Sequence, residues 1–167
     1  MTHDKERTRC VGTLSGAPAP IMIAQEAAGQ SWVRGNFLKL DGSRQLVIAT
    51  NGESGSIVGI AKSDASGTVD TWMEFYLAGP DTIFRSNIYQ SNDDPTSSVT
   101  AYTDIGMAYG ISLVGTYFHV NKYDSGNAIC SILKFPLGTY PGGIEEIGDT
   151  YGHVDYVIAP AKRQIVI

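Results

Sequence analysis

The stretch from Trp32 to Ala61, WVRGNFLKLDGSRQLVIATNGESGSIVGIA, restricts this chain to a narrow set of folds. Its apolar runs are short and rich in β-branched residues, and each is closed by a cluster of Gly, Asp, Ser or Asn. Helices need longer runs at a 3.6-residue period, whereas short runs bounded by turn formers are the pattern of hairpins. The stretch therefore predicts a three-stranded meander. Phe37 to Leu40 runs into a turn at Asp41-Gly42-Ser43, where glycine is expected to supply a positive φ, and Gln45 to Ala49 carries the chain back. A loop from Thr50 to Gly55 leads into a third strand, Ile57 to Ala61.

The same punctuation continues downstream. Strands are expected at Thr71 to Leu77, Thr82 to Tyr89, Val99 to Tyr102, Tyr109 to Val114, Tyr117 to Val120, Ala128 to Phe135, Gly152 to Ile158 and Lys162 to Ile167. Gly115-Thr116 joins two of them with the signature of a type II′ hairpin, glycine standing at the first turn position. Thr103 to Gly106 is expected to form a capped turn, Gln90 to Ser98 an irregular loop, and Ile144 to Ile147 a single helical turn. The sum is an all-β domain of about ten short strands, a compact antiparallel barrel or sandwich of jelly-roll or tulip-like form. Residues 1–24 are polar, then Gly- and Pro-rich, and predict an extended N-terminal arm ahead of a β-barrel domain at 25–167. Within that arm Pro20, Ile21, Met22 and Ile23 form an apolar patch suited to pairing as an edge strand or docking across a neighbour.

Size and charge narrow the classes of function. A chain of 167 residues fits one domain, and a domain near that size buries roughly 70% of the surface its unfolded chain exposes. The formal net charge of -5, with 12 Lys and Arg against 17 Asp and Glu, opposes nucleic acid as a main partner, which needs a dense basic face. No apolar run reaches the roughly 20 residues of a membrane span, and the charged start Met1 to Arg7 is unlike a signal peptide, so synthesis in a cytoplasm is expected. Cys130, inside an apolar run, reads as a buried free thiol, while Cys10 lies in a charged segment.

Chemistry-bearing patterns are thin. His3, His119 and His153 are scattered, no C-x-x-C spacing occurs, and no metal or cofactor is expected. The glycines of Gly52 to Gly59 lie between strands and lack the Lys-Ser/Thr ending of a phosphate loop. No nucleophile elbow is present, and the adjacent pairs Asp93-Asp94 and Glu145-Glu146 point to opposite faces of an extended strand, so no catalytic residue is expected. Trp32, Trp72, Tyr76, Phe84 and Tyr89 could build a sugar or base platform, but their neighbours are apolar and not basic, and core packing is the stronger reading.

Gly35-Asn36-Phe37-Leu38-Lys39-Leu40-Asp41-Gly42-Ser43 resembles the opening motif of the small decoration, or cement, proteins of tailed bacteriophage capsids. Ile57 to Ala61, Thr82-Ile83-Phe84 after Gly79-Pro80-Asp81, Thr103 to Gly106 with Tyr109-Gly110, and Gly148 to Val154 are similar to that family's pattern in the same order. The resemblance spans roughly residues 30–160 and implies a β-barrel that trimerises on the outer surface of the head, clamping the major capsid protein. It implies a virion protein made in the bacterial host cytoplasm, whose N-terminal arm reaches the capsid or neighbouring cement subunits. Trp32 is expected to join Pro20 to Ile23 in partner contacts. The competing expectation is a glycan-binding or cupin-like β domain, displayed on the particle or acting as a small-molecule enzyme.

Overall fold

The computed structural model describes residues 2, 6–89, 98–136, 138–140 and 143–164. Its strands are β1 (Arg9–Thr13), β2 (Ile21–Gln25), β3 (Phe37–Leu40), β4 (Leu46–Ile48), β5 (Gly59–Ala61), β6 (Trp72–Leu77) and β7 (Thr82–Tyr89). There follow β8 (Ala108–Val114), β9 (Tyr117–Asn121), β10 (Cys130–Lys134), β11 (Gly138–Tyr140), β12 (Gly143–Glu145) and β13 (His153–Ile158). Short 3₁₀ turns occupy Tyr102–Asp104 and Pro160–Lys162. Of the expected helical turn at Ile144 to Ile147, Ile144 and Glu145 belong instead to the strand β12, paired with β11. The expected strand at Val99 to Tyr102 shrinks to one bridge at Val99, and of Lys162 to Ile167 the part 165–167 lies outside the described residues, as does 90–97 of the expected loop.

β7, β13, β10, β8 and β9 close a barrel, because β7 pairs with β13 at one end of the series and with β9 at the other. The closing seam is parallel, Ile88 opposite Val120 and Tyr89 opposite Asn121, whereas every pairing was expected to be antiparallel. The length of β7 makes this possible. Its eight residues extend about 26 Å, so its first half pairs with β1 and its last two residues reach β9. A second sheet, in the order β2-β6-β5-β3-β4, packs against the barrel. A parallel bridge between Glu26 and Leu46 draws its two ends together.

Alternation along β3 connects the two layers. Phe37 enters the main core with Phe84, Phe118 and Tyr156, while the next residue, Leu38, faces a second cluster with Trp32, Leu46, Val58 and Phe75. Phe37 meets Phe118 edge to face at 5.4 Å between ring centroids, a geometry that places ring hydrogens against a π face.

Local turn chemistry explains the hairpins. Gly115 has φ +61° and lies between the paired residues Val114 and Tyr117, as a type II′ turn requires. At the first meander turn the expectation fails in detail, since the positive φ (63°) belongs to Arg44 and not to Gly42. Asp41 is the cause: its Oδ1 accepts from the backbone N–H of Ser43 (2.8 Å) and of Gln45 (2.9 Å), wrapping the chain around the carboxylate.

Residues 6–24 of the N-terminal segment are built against the sheets. β1 pairs with β7 and β2 with β6, so the expected boundary between residues 24 and 25 falls inside a strand of the second sheet. Upstream of β1, the Glu6 backbone N–H donates to Asn87 Oδ1 at 2.7 Å, and Thr8 Oγ1 donates to the Phe118 carbonyl at 3.0 Å. The physical reason is that the flank of β7 and the edge of β6 present unpaired peptide groups, and these two strands satisfy them within the same chain.

Candidate functional site

Of the five residues expected at a partner contact, three lie together on an open edge. β2 is bound on one side by β6, with Ile21 opposite Tyr76, Ile23 opposite Glu74 and Gln25 opposite Trp72. Among the described residues its other side has no strand partner over Ile21 to Gln25. Pro20 is exposed, and the outward face carries Ile21 at 44%, Ile23 at 54% and, on β6, Trp72 at 66% exposure. Met22 and Ala24 alternate inward against the Trp32 cluster, which anchors the strand and holds its outer face in place.

Trp32 is corrected. It is 2% exposed, its Nε1 donates to the Ser63 carbonyl at 3.2 Å, and its ring is committed to the second core. The exposed tryptophan is Trp72, read from sequence as core. Strand alternation on β6 decides this: Met73 and Phe75 are buried, and Trp72 and Glu74 face outward. A Trp–x–Glu alternation was the available signal, masked by the apolar run around it.

An apolar, unpaired strand edge is a template for pairing with another chain. Little on this edge opposes such pairing. Glu74 is its main charge, and Lys62 Nζ binds Glu74 Oε2 at 2.7 Å.

The buried acids play a different part. Glu53 Oε2 accepts from Lys39 Nζ (2.7 Å) and from the N–H and hydroxyl of Thr50, while Oε1 accepts from the Gly55 N–H (2.8 Å). Burial by itself would raise its pKa, but these donors, Lys39 foremost, overcome it and lower the group to about 2. Glu26 is fully buried and accepts from Ser66 and Gly67. Asp155 binds Arg85 through two bonds of 2.5 and 2.8 Å. Asp104 accepts from Tyr109 Oη, Lys122 Nζ and the Ala101 N–H. Burial first, then the Asp104 hydrogen bond, pushes the Tyr109 hydroxyl up to about 12. Each of these carboxylates ties a loop or strand to its neighbour, which is work for the fold.

The histidines are likewise built in. His119 is fully buried with its ring 5.5 Å from Tyr89, and His153 Nε2 lies 3.4 Å from Asn87 Nδ2 and 3.6 Å from Glu6 Oε2. Among the described residues no group of three or more His, Cys, Asp or Glu is placed to hold a metal ion. Both cysteines are free thiols, and burial raises each pKa, that of the fully buried Cys130 most strongly. Asp93 and Asp94 lie outside the described residues. No protein family matches the chain, and neither a curated protein nor a solved structure is similar to it.

Proposed function

We propose that this chain is a structural virion protein that binds the outer surface of a phage head as a homotrimer and stabilises the lattice of the major capsid protein. The observation that carries the reading is the β2 edge, where Pro20, Ile21 and Ile23 stand exposed beside Trp72 on a strand with one side unpaired. The occupant of that edge is a neighbouring copy of the chain. The ordered motifs from Gly35 to Val154 that resemble phage cement proteins support the capsid as the surface on which the trimer sits. Where the β2 edge of each copy seats on a different surface of the next, three copies close a ring, and a ring engages three capsid subunits at once, so weak contacts act together.

Sedimentation equilibrium tests the assembly. Three copies of a 17.9 kDa chain give about 54 kDa for the wild type, and Ile21→Lys with Ile23→Lys should return the single-chain mass with an unchanged circular dichroism spectrum. Co-sedimentation with expanded phage heads tests the rest: wild type should bind and the double variant should not. A wild-type protein that stays monomeric at high concentration and leaves heads undecorated would overturn the reading.

A further inference from the structure

A cavity of about 520 Å³ opens where residues 6–10 cross the second sheet. Its walls are the segment ahead of β1, the loop at Arg34-Gly35, Ile60 and Ala61 of β5, Tyr76 of β6 and Tyr117 at the start of β9. Gly35 is what lets these parts meet. Its φ is +90°, and a Cβ there would come within 2.3 Å of the Thr8 carbonyl oxygen, so the crossing depends on glycine.

The charge of this cavity is opposite to that of the whole molecule. Among the described residues, Arg7, Arg9 and Arg34 line it against one carboxylate, that of Glu6, in a chain of formal net charge -5. Arg9 is 3.5 Å from Glu6 and is in part neutralised. Arg7 and Arg34 are exposed. The Arg7 guanidinium lies 5.9 Å from the centroid of the Tyr117 ring, which holds a cation without cancelling its charge. The loop carrying Arg34 is pinned by its own backbone N–H, which donates to Asp64 Oδ1 at 2.7 Å. Arg7 and Arg34 therefore both line a cavity whose wall includes the buried, apolar Ile60 and Ala61.

We propose that this cavity binds a small organic anion, its carboxylate or phosphate gripped by Arg7 and Arg34 and its apolar or aromatic body resting on Ile60, Ala61 and Tyr76. Guanidinium groups recognise both oxyanions through paired N–H donors. The volume falls within the roughly 300–1,000 Å³ typical of organic ligands and exceeds what a lone inorganic ion needs. No lining residue lies on β2, although Tyr76 is paired with Ile21, so the arginine variants test this site and the β2 variants test the assembly edge.

Isothermal titration of the full chain with benzoate and with phenyl phosphate tests the site, with benzyl alcohol and inorganic phosphate as controls. At least one aromatic anion should bind saturably, the tighter of the two identifying the preferred oxyanion, and each control should bind about tenfold more weakly or worse. Arg7→Ala and Arg34→Ala should each weaken the preferred anion by about tenfold, with binding also falling as salt is raised. Both side chains are exposed, so an unchanged unfolding midpoint is expected and separates lost binding from lost fold. The proposal is overturned if neither aromatic anion saturates below about 10 mM, if both arginine variants bind like wild type, or if either control binds as tightly as the aromatic anions.

Discussion

Replacing Glu53 by glutamine should convert an acid-sensitive stability into an acid-insensitive one. The carboxylate is 6% exposed and receives four hydrogen bonds, one of them from Lys39. Its pKa is about 2 in the folded chain, against roughly 4.3 for an unperturbed glutamate. Because the unfolded chain takes up the proton first as pH falls, this group's stabilisation is complete above about pH 5 and is lost as pH drops through the window from 4.3 to 2. At 1.36 kcal/mol per pKa unit the difference amounts to about 3 kcal/mol as an upper figure, since Lys39 is partly in water.

Glutamine keeps one acceptor oxygen, but its amide group opposes the remaining donors. Wild type should therefore exceed Glu53→Gln by up to about 3 kcal/mol at pH 7 and by under about 1 kcal/mol at pH 2. For a chain of this size that gap corresponds to roughly 6–12 °C in Tm at neutral pH. Urea unfolding from pH 7 to pH 2 measures it, followed by Trp32 fluorescence in a Trp72→Phe background so that only the buried indole reports. A gap independent of pH, or one below 1 kcal/mol throughout, would refute the assignment of this stabilisation to the ionised carboxylate.

Other outcomes follow from the same packing. Asp155→Asn strands the Arg85 guanidinium, 18% exposed, beside a neutral amide, and should cost about 3–5 kcal/mol in urea unfolding; a double replacement by apolar residues of similar volume should recover much of it. Phe37→Ala opens a hole where the barrel meets the second sheet and should cost about 3–5 kcal/mol, with both layers losing protection in hydrogen exchange. Tyr109 should remain un-ionised past pH 11 in an ultraviolet titration, and Asp104→Asn should lower its pKa only in part, because burial, the larger cause, remains. Because its folded pKa is raised, its stabilising share is complete below about pH 10 and fades as pH climbs toward 12. Thiol labelling of the native chain should proceed slowly at Cys10 and reach Cys130 only after denaturation, because burial keeps both protonated and shields Cys130 completely.

What could be read in the sequence was local. Phe37 to Leu40 and Thr82 to Tyr89 are strands with the bounds their apolar runs suggest, and Gly115-Thr116 turns where turn chemistry demands. These features depend on neighbours a few residues away: a period of two, a glycine at a strained φ, a proline that ends a run. The all-β class follows from their sum. The apolar patch at Pro20 to Ile23 was legible as an edge strand, but not that Met22 would turn inward while Ile21 and Ile23 face out.

The rest needed partners far along the chain. Strand alternation allowed either face of β6 to be buried, and only packing against the second core chose Met73 and Phe75 and turned Trp72 outward while enclosing Trp32. The first residues looked like an arm because their composition carries no period, yet Thr8 finds the Phe118 carbonyl 110 positions away and β1 finds β7. The parallel seam of the barrel, the Arg85–Asp155 pair and the convergence of Arg7 with Arg34 are likewise meetings across long loops. The amino-acid sequence by itself determined where this chain extends and turns. Tertiary structure alone decided which edges and charges meet, because those contacts form only when distant strands are brought together by burying a shared core.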